Sequence, residues 1–267
     1  MIKFPNCKIN LGLHIVEKRS DGFHNIETVF YPVSLSDILE IVPSDQIQFE
    51  STGICIPGNA DDNLVMKAYR LISEDYDIPE IKVHLHKIIP AGAGLGGGSS
   101  DASFMIKLLN EQFDLKMSEE KMMAFARQLG SDCSFFIKNK PVFAHQKGDT
   151  FEEIELNLSG YQIMIIKPEV HISSADAYSG VLPKKPEMAL TDIIKLPVEE
   201  WKSILINDFE KTVFSKFPQI QSLKDQLYAA GAVYASMSGS GASVFGLFKN
   251  EIPEMNFNNC FAWKGSL

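Results

Sequence analysis

The chain has 267 residues, of which 45% are apolar and 22% are charged. These proportions are ordinary for a globular protein and exclude a disordered, collagen-like or coiled-coil chain. The 25 basic and 34 acidic residues give a formal net charge of −9, which argues against a general nucleic-acid-binding protein. An anionic small-molecule substrate is still compatible with this charge, because a pocket can be locally positive.

Membrane and export signals are absent from the sequence. No apolar run approaches the roughly 18 residues of a transmembrane helix, and the first 20 residues lack the apolar core of a signal peptide. The cysteines form no CxxC pair, which favours free thiols over disulfides or a zinc site. They are Cys7, Cys55, Cys133 and Cys260. We therefore expect a cytoplasmic protein with no membrane partner and no nucleic-acid partner.

Hydrophobic spacing predicts a mixture of strands and helices along the whole chain. In chain order, the predicted elements are a strand at 7–11, a helix at 62–76, a strand at 81–89, helices at 99–113 and 118–129, a strand at 161–167, helices at 199–214 and 220–230, and strands at 233–237, 243–248 and 259–263. This mixture predicts an α+β fold. A polar turn at 145–149 marks an expected domain boundary near residue 150.

The most informative segment is the glycine-rich stretch 90–103, PAGAGLGGGSSDAS. Five of the seven residues from Gly92 to Gly98 are glycine, and a predicted strand enters the stretch while a predicted helix leaves it. Glycine lets a backbone approach a ligand closely, and a helix N-terminus offers unpaired N–H groups to phosphates. The segment therefore predicts a polyphosphate cradle, formed by Pro90, Ala91, Gly92, Ala93, Gly94, Leu95, Gly96, Gly97, Gly98, Ser99 and Ser100.

Other interpretations of the glycine stretch fit less well. A flexible turn without a ligand would carry a high entropic cost for five glycines. The spacing Gly92-x-Gly94-x-x-Gly97 matches the dinucleotide fingerprint, but the acidic residue at the required distance, Asp114, follows a predicted helix instead of a strand. A Walker loop needs a lysine that this stretch does not contain.

The segment GLGGGSSDA resembles the phosphate-binding motif of the GHMP kinases, a family of small-molecule kinases. Two further motifs follow the family's order: residues 5–11, PNCKINL, resemble its opening motif, and residues 237–242, MSGSGA, resemble its third motif. Three more segments resemble the family member that acts on a cytidine-diphosphate-linked methylerythritol, namely RSDGFH at 19–24, LGSD at 129–132 and NDFE at 207–210. The chain departs from the usual pattern at Cys7, Phe23 and Cys133.

The resemblance implies a two-lobed α+β architecture with the active site in the cleft between the lobes. An N-terminal ATP-binding lobe would span residues 1–150 and a C-terminal substrate lobe residues 151–267, with a last strand that could return to the first lobe. It also implies transfer of the ATP γ-phosphoryl group to the 2-hydroxyl of the cytidine-diphosphate-linked methylerythritol, a step of isoprenoid precursor biosynthesis. Mg²⁺ is the expected cofactor, and the protein would be a monomer or a homodimer.

The resemblance also assigns catalytic roles. Asp132 would accept the hydroxyl proton as general base, or at least orient that hydroxyl. Lys8 would keep Asp132 ionised and neutralise charge on the transferring phosphoryl group. Because side chains alternate along a strand, Lys8 and Asn10 share one face, and Cys7 points away from them. Cys133 adjoins Asp132, and a buried inert thiol is its expected state.

The binding residues follow from the same motifs. Phe23 and His24 would hold the cytosine, and Asn63 and Lys87 would lie near the adenine. The remaining substrate-binding residues are Asn10, Ser174, Gly239, Ser240 and Gly241. The sequence offers no dedicated carboxylate pair for the metal, so its ligands are not assigned, although Ser99 or Ser100 would be nearby.

Two alternatives remain open from the sequence. The first is another GHMP kinase, acting on homoserine, a mevalonate derivative or a sugar. The second is a non-catalytic module that uses the glycine stretch to sense ATP.

Overall fold

The structure is a computed structural model that describes residues 1–56 and 58–267, apart from the side chain of residue 174. The backbone contacts divide the chain into two compact units, which are both discontinuous. Unit 1 comprises Met1–Cys7, Leu35–Ala91 and Gly96–Lys140, and unit 2 comprises Lys8–Ser34, Gly92–Leu95 and Pro141–Leu267.

Strands and helices alternate irregularly along the described residues. The strands are β1 (Ile2–Lys3), β2 (Asn6–Lys18), β3 (His24–Ser36), β4 (Ile38–Pro43), β5 (Gln48–Gly53), β6 (Ile81–Lys87), β7 (Val142–His145), β8 (Thr150–Glu153), β9 (Gln162–Pro168), β10 (Tyr234–Met237), β11 (Val244–Phe248) and β12 (Cys260–Ser266). The α-helices are α1 (Leu64–Ser73), α2 (Gly97–Gln112), α3 (Glu119–Leu129), α4 (Cys133–Lys138), α5 (Ser174–Tyr178), α6 (Leu190–Ile193), α7 (Phe209–Lys216) and α8 (Pro218–Ala229). Short 3-10 helices cover Ala60–Asp62 and Val198–Ser203.

Unit 1 is a sheet covered by helices. Its strand order is β1-β4-β6-β5, and β5 runs parallel to β6 while the other pairs are antiparallel. In β6 every second residue is buried, as the alternating sequence predicts. Helix α1 buries Val65, Ala68 and Ile72, which lie on one helical face and pack into the same apolar core as the strands.

Unit 2 contains two four-stranded sheets with the orders β10-β11-β9-β12 and β2-β3-β7-β8. Strands β10 and β11 are buried at every position. On one face Ala235, Met237, Val244 and Phe248 join an apolar cluster, and on the other face the Tyr234 ring packs against Phe245. Trp201 is fully buried and meets the ring of Tyr234 edge-on at 5.6 Å between centroids. The indole nitrogen of Trp201 donates to the carbonyl of Leu196 at 3.0 Å, so its polar atom is satisfied inside the core.

The predicted elements exist with modest shifts at their ends, apart from the helix at 199–214, which is wrong. That segment forms a 3-10 helix, then an extended stretch, and then α7. The extended stretch pairs with β2, since Leu13 N donates to Ile206 O and Asp208 N donates to Leu13 O, each at 2.9 Å. A backbone that bonds to a neighbouring strand cannot also make helical hydrogen bonds, so the helical pattern is interrupted there.

The predicted boundary near residue 150 differs from the division into units. The chain changes unit at 7/8, 34/35, 91/92, 95/96 and 140/141. The idea that the last strand could return to the first lobe is wrong for these units, because β12 pairs along its whole length with β9 inside unit 2. The assignment of ATP binding to residues 1–150 and of substrate binding to residues 151–267 stays a prediction.

The ends of α3 are as predicted. Ser118 caps the helix, because its hydroxyl accepts a hydrogen bond from Lys121 N at 3.3 Å. The helix ends at Leu129, directly before Gly130. Among the residues that the structure describes, no helix has the length and apolarity needed to cross a bilayer.

Candidate functional site

Lys8 lies at the centre of a buried polar network in unit 2. It is only 3% exposed, and its ammonium donates to Asn10 Oδ1 at 2.6 Å and to the carbonyl of Gly94 at 3.2 Å. The ammonium also lies 4.7 Å from the centroid of the Phe30 ring, a distance typical of a cation–π contact. The prediction that Lys8 and Asn10 share one strand face is therefore confirmed. A buried cation needs such partners, because burial without them is costly.

Asn10 connects Lys8 to the rest of β2 and β3. Its side-chain amide donates to Thr28 Oγ1 at 2.9 Å, and the Thr28 hydroxyl donates to the carbonyl of Gly12 at 2.5 Å. Thr28 is completely buried. Because each polar atom along this path has a defined partner, the oxygen of Asn10 is held facing the Lys8 ammonium.

The second glycine turn, residues 238–241, meets the first glycine stretch at Gly94. The Ser238 hydroxyl donates to the Gly94 carbonyl at 2.8 Å and accepts from Asn10 N at 3.2 Å. Gly94 has a positive φ of 75°, and a Cβ added to it would lie 2.0 Å from the Ser238 carbonyl oxygen. Only glycine allows this approach. The two glycine motifs, 144 residues apart, are thus in direct contact.

Unit 1 holds the other part of the glycine stretch. Gly96 has a left-handed φ of 71° and precedes α2, whose first turn begins at Gly97. The N–H groups of such a first turn have no partner inside the helix and point toward its N-terminus. The stretch therefore leads into a helix start, which is the arrangement that favours a bound phosphate.

A cavity of about 500 Å³ lies in unit 1. It is lined by several residues that the sequence analysis assigns to nucleotide binding, namely Asn63, Lys87, Ala91 and Gly98. Its wall also includes Gly53, Ile54 and Cys55. The structure thus brings together four predicted ATP-binding residues. That the adenine lies beside Asn63 and Lys87 stays a prediction.

Lys87 belongs to a buried charged cluster that the sequence analysis missed. Its ammonium donates to Asp101 Oδ2 at 2.7 Å and also to Asp37. Asp37 is fully buried and accepts two further hydrogen bonds, from Ile88 N at 2.5 Å and from Ile89 N at 2.8 Å. The cluster therefore fixes the end of β6 directly before the glycine stretch.

The protonation of this cluster follows from burial and charge. Burial raises the pKa of Asp101 to about 8; the Asp37 carboxylate adds to the rise, and the Lys87 ammonium opposes it. Burial alone would lower the pKa of Lys87, but the two carboxylates outweigh it and raise that pKa. At neutral pH a charged Lys87 therefore faces an Asp101 carboxyl group that is largely protonated.

His24 lies in a stack of aromatic rings. Its imidazole stacks on Tyr178 with 4.7 Å between centroids and an 18° interplanar angle, and Tyr178 meets Phe209 edge-on. Burial and the nearby Lys18 ammonium lower the pKa of His24, so the ring is neutral at pH 7. A neutral imidazole offers one donor and one acceptor, which suits recognition of a nucleobase edge.

Phe23 is 60% exposed, and the Lys147 ammonium lies 4.9 Å from its ring centroid. The turn that carries it is closed by Arg19 N, which donates to Phe23 O at 2.8 Å, and by Phe23 N, which donates to Asp21 Oδ1 at 3.1 Å. An aromatic ring held at the surface is available for stacking. Contact of Phe23 and His24 with cytosine stays a prediction.

Asp132 lies at the start of α4, where its side chain makes no capping hydrogen bond. The Ser131 hydroxyl donates to Asp132 Oδ1 at 3.4 Å. Lys8 and Asp132 belong to different units, and their cooperation stays a prediction. The expectation for Cys133 is confirmed, because the thiol is fully buried and burial raises its pKa to about 11.

The remaining predicted residues are placed as follows. Gly239 and Gly241 have positive φ values in the second glycine turn. Ser174 is the first residue of α5, and its side chain lies outside the described part of the structure. Among the described side chains, no group of three histidines, cysteines or carboxylates could hold a metal ion. The Ser100 hydroxyl, however, is buried without a hydrogen-bond partner within that part of the chain.

Several residues of these networks escaped the sequence analysis: Asp37, Asp101, Tyr178, Asn207 and Ser238. Three of them stood inside recognised motifs, because Asp101 follows GLGGGSS, Asn207 opens NDFE and Ser238 is the second residue of MSGSGA. Their partners are distant in sequence, so the motifs alone did not identify their contacts.

Comparisons with known proteins identify the family to which the chain belongs. Residues 63–140 match the GHMP kinases N terminal domain, and residues 193–254 match the GHMP kinases C terminal domain. Solved structures of a homoserine kinase from Cytophaga hutchinsonii and a mevalonate kinase from Methanococcus jannaschii share the fold, with TM-scores of 0.58 and 0.69 at 20% and 15% identity. They cover 92% and 93% of this chain, which covers 86% and 90% of theirs. The chain belongs to the GHMP kinase family and is an ATP-dependent small-molecule kinase.

Its relatives within the family are proteins named 4-diphosphocytidyl-2-C-methyl-D-erythritol kinase. The one from Bacteroides thetaiotaomicron is 54% identical, and the one from Parabacteroides distasonis is 50% identical; each match covers 100% of both chains. A crystal structure of 4-(cytidine 5'-diphospho)-2C-methyl-D-erythritol kinase superimposes with a TM-score of 0.82 at 29% identity. It covers 92% of this chain, which covers 90% of that structure. The predicted α+β GHMP-kinase fold is confirmed, and a kinase is favoured over an ATP-sensing module.

We expect Gly94→Ala to disrupt the contact between the two glycine motifs. The added Cβ would overlap the Ser238 carbonyl in a left-handed backbone, so the variant should lose about 3 kcal/mol or more of unfolding free energy. Gly160→Ala is the matched control, because Gly160 has a φ of 95° but nothing within 4 Å of an added Cβ. Urea unfolding compares them; an equal loss in both variants would show that the contact with Ser238 adds nothing.

We expect Asp101→Asn to change the pH dependence of stability. Because folding raises the pKa of Asp101 from 3.8 to about 8, its contribution is fully present below pH 3.8 and is lost as pH rises toward 8. An asparagine cannot ionise, so the wild type should lose unfolding free energy relative to the variant across this interval. Urea titrations at a series of pH values measure the difference; parallel curves would contradict it.

Proposed function

We propose that this chain transfers the γ-phosphoryl group of ATP to the 2-hydroxyl of 4-diphosphocytidyl-2-C-methyl-D-erythritol, a step of isoprenoid precursor biosynthesis. The observation that carries the proposal is similarity along the whole chain, at 50–54% identity, to relatives that bear this name. We propose that the chain acts as a monomer or a homodimer, which sedimentation of the purified protein decides.

The nucleotide is proposed to bind along the glycine stretch. The start of α2 supplies N–H groups for its phosphates, and the unit 1 cavity lined by Asn63 and Lys87 offers room for its adenine. The carboxyl groups of Asp37 and Asp101 both accept hydrogen bonds from the Lys87 ammonium, which supports a role for Lys87 in shaping the cavity wall.

The chemical step needs few protein groups. The bond between the γ-phosphorus and the bridging oxygen of ADP breaks, a bond to the 2-oxygen of the acceptor forms, and Asp132 takes the hydroxyl proton. Lys8 is proposed to stabilise the charge on the transferring group. Its hydrogen bonds to Asn10 and Gly94 support this role, because a fixed cation requires little reorganisation during the reaction.

Mg²⁺ is proposed to accompany ATP. When bound, it supplies neutralisation of the charge on the phosphate oxygens. Among the described residues no group of three histidines, cysteines or carboxylates could hold it, and phosphates and water are proposed to supply most of its ligands. The Ser100 hydroxyl fits as the protein contact, because its oxygen has no hydrogen-bond partner in the described part of the chain.

The cytidine group is proposed to bind at the ring pair of His24 and Tyr178, with the exposed Phe23 nearby in sequence. The neutral imidazole can exchange hydrogen bonds with a base edge, and an exposed ring can stack on its face. These features support a nucleotide-linked acceptor over homoserine, mevalonate derivatives or sugars.

A ³¹P NMR time course with ATP, Mg²⁺ and 4-diphosphocytidyl-2-C-methyl-D-erythritol tests the reaction. We expect a new phosphomonoester signal with an equal amount of ADP. Asp132→Asn should lower kcat by about 10²- to 10⁴-fold because the proton acceptor is lost. ATP affinity, measured by calorimetry, should stay within about twofold, since Asp132 is assigned to the acceptor. Unchanged ATP with the wild-type protein would reject this acceptor, and full activity of the variant would reject Asp132.

A second experiment tests the cytidine site. His24→Ala should raise KM for the cytidine-linked acceptor by about tenfold or more and leave KM for ATP unchanged, because a stacking and hydrogen-bonding ring is lost. Tyr178→Phe is the control, since it keeps the ring that stacks on His24. Equal kinetics of His24→Ala and the wild type would place the cytidine elsewhere.

A further inference from the structure

We propose that Asn207 is a positioning residue of this kinase, which holds the second glycine turn and, through it, the Lys8 ammonium in the reactive arrangement. The expected effect on kcat rests on the proposed function. Asn207 touches neither the nucleotide nor the acceptor in the assignment above.

Both the nitrogen and the oxygen of the Asn207 side-chain amide form hydrogen bonds at the turn. Its Nδ2 donates to the carbonyls of Met237 and Gly239, both at 2.8 Å, and its Oδ1 accepts from Phe209 N at 3.0 Å. The residue is 3% exposed, so water cannot replace these bonds. Both amide hydrogens and one oxygen lone pair are thus engaged, and a side chain without two donors cannot reproduce the pattern.

Glu210 binds the same end of β10 and accepts a hydrogen bond from its backbone N–H. Its Oε1 accepts from Met237 N at 2.8 Å and from the Ser236 hydroxyl at 3.1 Å, while its Oε2 pairs with Lys224 at 2.6 Å. Asn207 therefore acts on the carbonyls and Glu210 on the amide of one short segment. Two residues three positions apart fix both polar sides of the chain that enters the glycine turn.

The turn transmits this constraint to Lys8. Met237 and Gly239 flank Ser238, whose hydroxyl donates to the Gly94 carbonyl at 2.8 Å. The Lys8 ammonium donates to that same carbonyl. A shift of the turn by a fraction of an ångström would move the Gly94 carbonyl oxygen. The Lys8 ammonium, which donates to that oxygen, would then point in a different direction. Because rate depends steeply on such positioning, the effect should appear in kcat.

The backbone of Asn207 also connects to the strand that carries Lys8. Its backbone belongs to the extended stretch that interrupts the predicted helix at 199–214 and bridges to Leu13 of β2. Strand β2 also carries Lys8 and Asn10. The extended stretch is thus connected to β2 in two ways. It pairs directly with Leu13, and it is linked indirectly to Lys8 and Asn10 through the second glycine turn.

Asn207→Asp is the sharpest test. A carboxylate facing two carbonyl oxygens loses both donors and repels them, and burial among acceptors raises its pKa. Once protonated, it can donate one of the two bonds again. We expect kcat to fall about thirty-fold near pH 8, with KM for both substrates changed less than about threefold. The ratio of variant to wild-type kcat should then rise as pH falls toward about 6.

Asn110→Asp is the matched control. Asn110 also bonds through its side chain to the backbone, accepting from Met117 N at 2.9 Å, but it lies near the end of α2. It should reduce stability without changing kcat per folded molecule at any pH. Asn207→Ser, which is neutral and keeps one donor, serves if Asn207→Asp does not fold, and a kcat loss smaller than thirty-fold but above threefold is then expected.

Hydrogen exchange of the amides at 237–243 supplies a readout that needs no turnover. Faster exchange in Asn207→Asp than in Asn110→Asp, relative to the wild type, supports the positioning role even if the acceptor proves to be a different molecule. The proposal is overturned if the turn exchanges at the wild-type rate. It is also overturned if the kcat deficit is the same at pH 8 and pH 6, or if Asn110→Asp shows the same deficit.

Discussion

The carbonyl oxygen of Gly94 is the point on which the polar core of unit 2 depends. It accepts hydrogen bonds from the Lys8 ammonium and from the Ser238 hydroxyl, and so joins three segments that are far apart in the sequence. The contact requires a residue without a side chain, because a Cβ at Gly94 would overlap the backbone of Ser238. The absence of a side chain at Gly94 thus allows the Lys8 ammonium to be hydrogen-bonded inside the core. The buried cation gains its partners only because the two glycine motifs can touch.

A second buried charge organises unit 1 in a similar way. Lys87 ends β6, and Asp37 and Asp101 hold it from the β3–β4 turn and from α2. The backbone N–H groups of Ile88 and Ile89 donate to Asp37. These two hydrogen bonds fix the direction in which the backbone leaves β6 and enters the glycine stretch. Buried ion pairs are weak contributors to stability compared with apolar packing, but they specify geometry. In a kinase whose chemistry consists mainly of positioning, such specification is the useful property.

The comparison with relatives and the geometry address different questions. Similarity along the whole chain establishes the family, and the distances show how this chain arranges its own residues. Structures at 15–20% identity retain the fold while carrying the names of other kinases, so the fold alone does not select the acceptor. The names of the full-length relatives and the aromatic ring pair of His24 and Tyr178 support the proposed acceptor.

The amino-acid sequence by itself determined the types of most of the predicted elements, the α+β class, the glycine-rich stretch that leads into α2 and the shared face of Lys8 and Asn10. These are local properties, since periodicity, glycine content and strand alternation depend on neighbours in the chain. The tertiary structure alone decided the break of the helix at 199–214, the partners of Lys87, the stack of His24 on Tyr178 and the grip of Asn207 on the second glycine turn. Each of these depends on partners that are at least 14 positions apart in the chain, and a hydrogen bond or ring contact between such residues leaves no periodic signal in the sequence. Local propensity favoured a helix near Asn207, and pairing with β2 overrode it because the backbone groups there found partners on another strand.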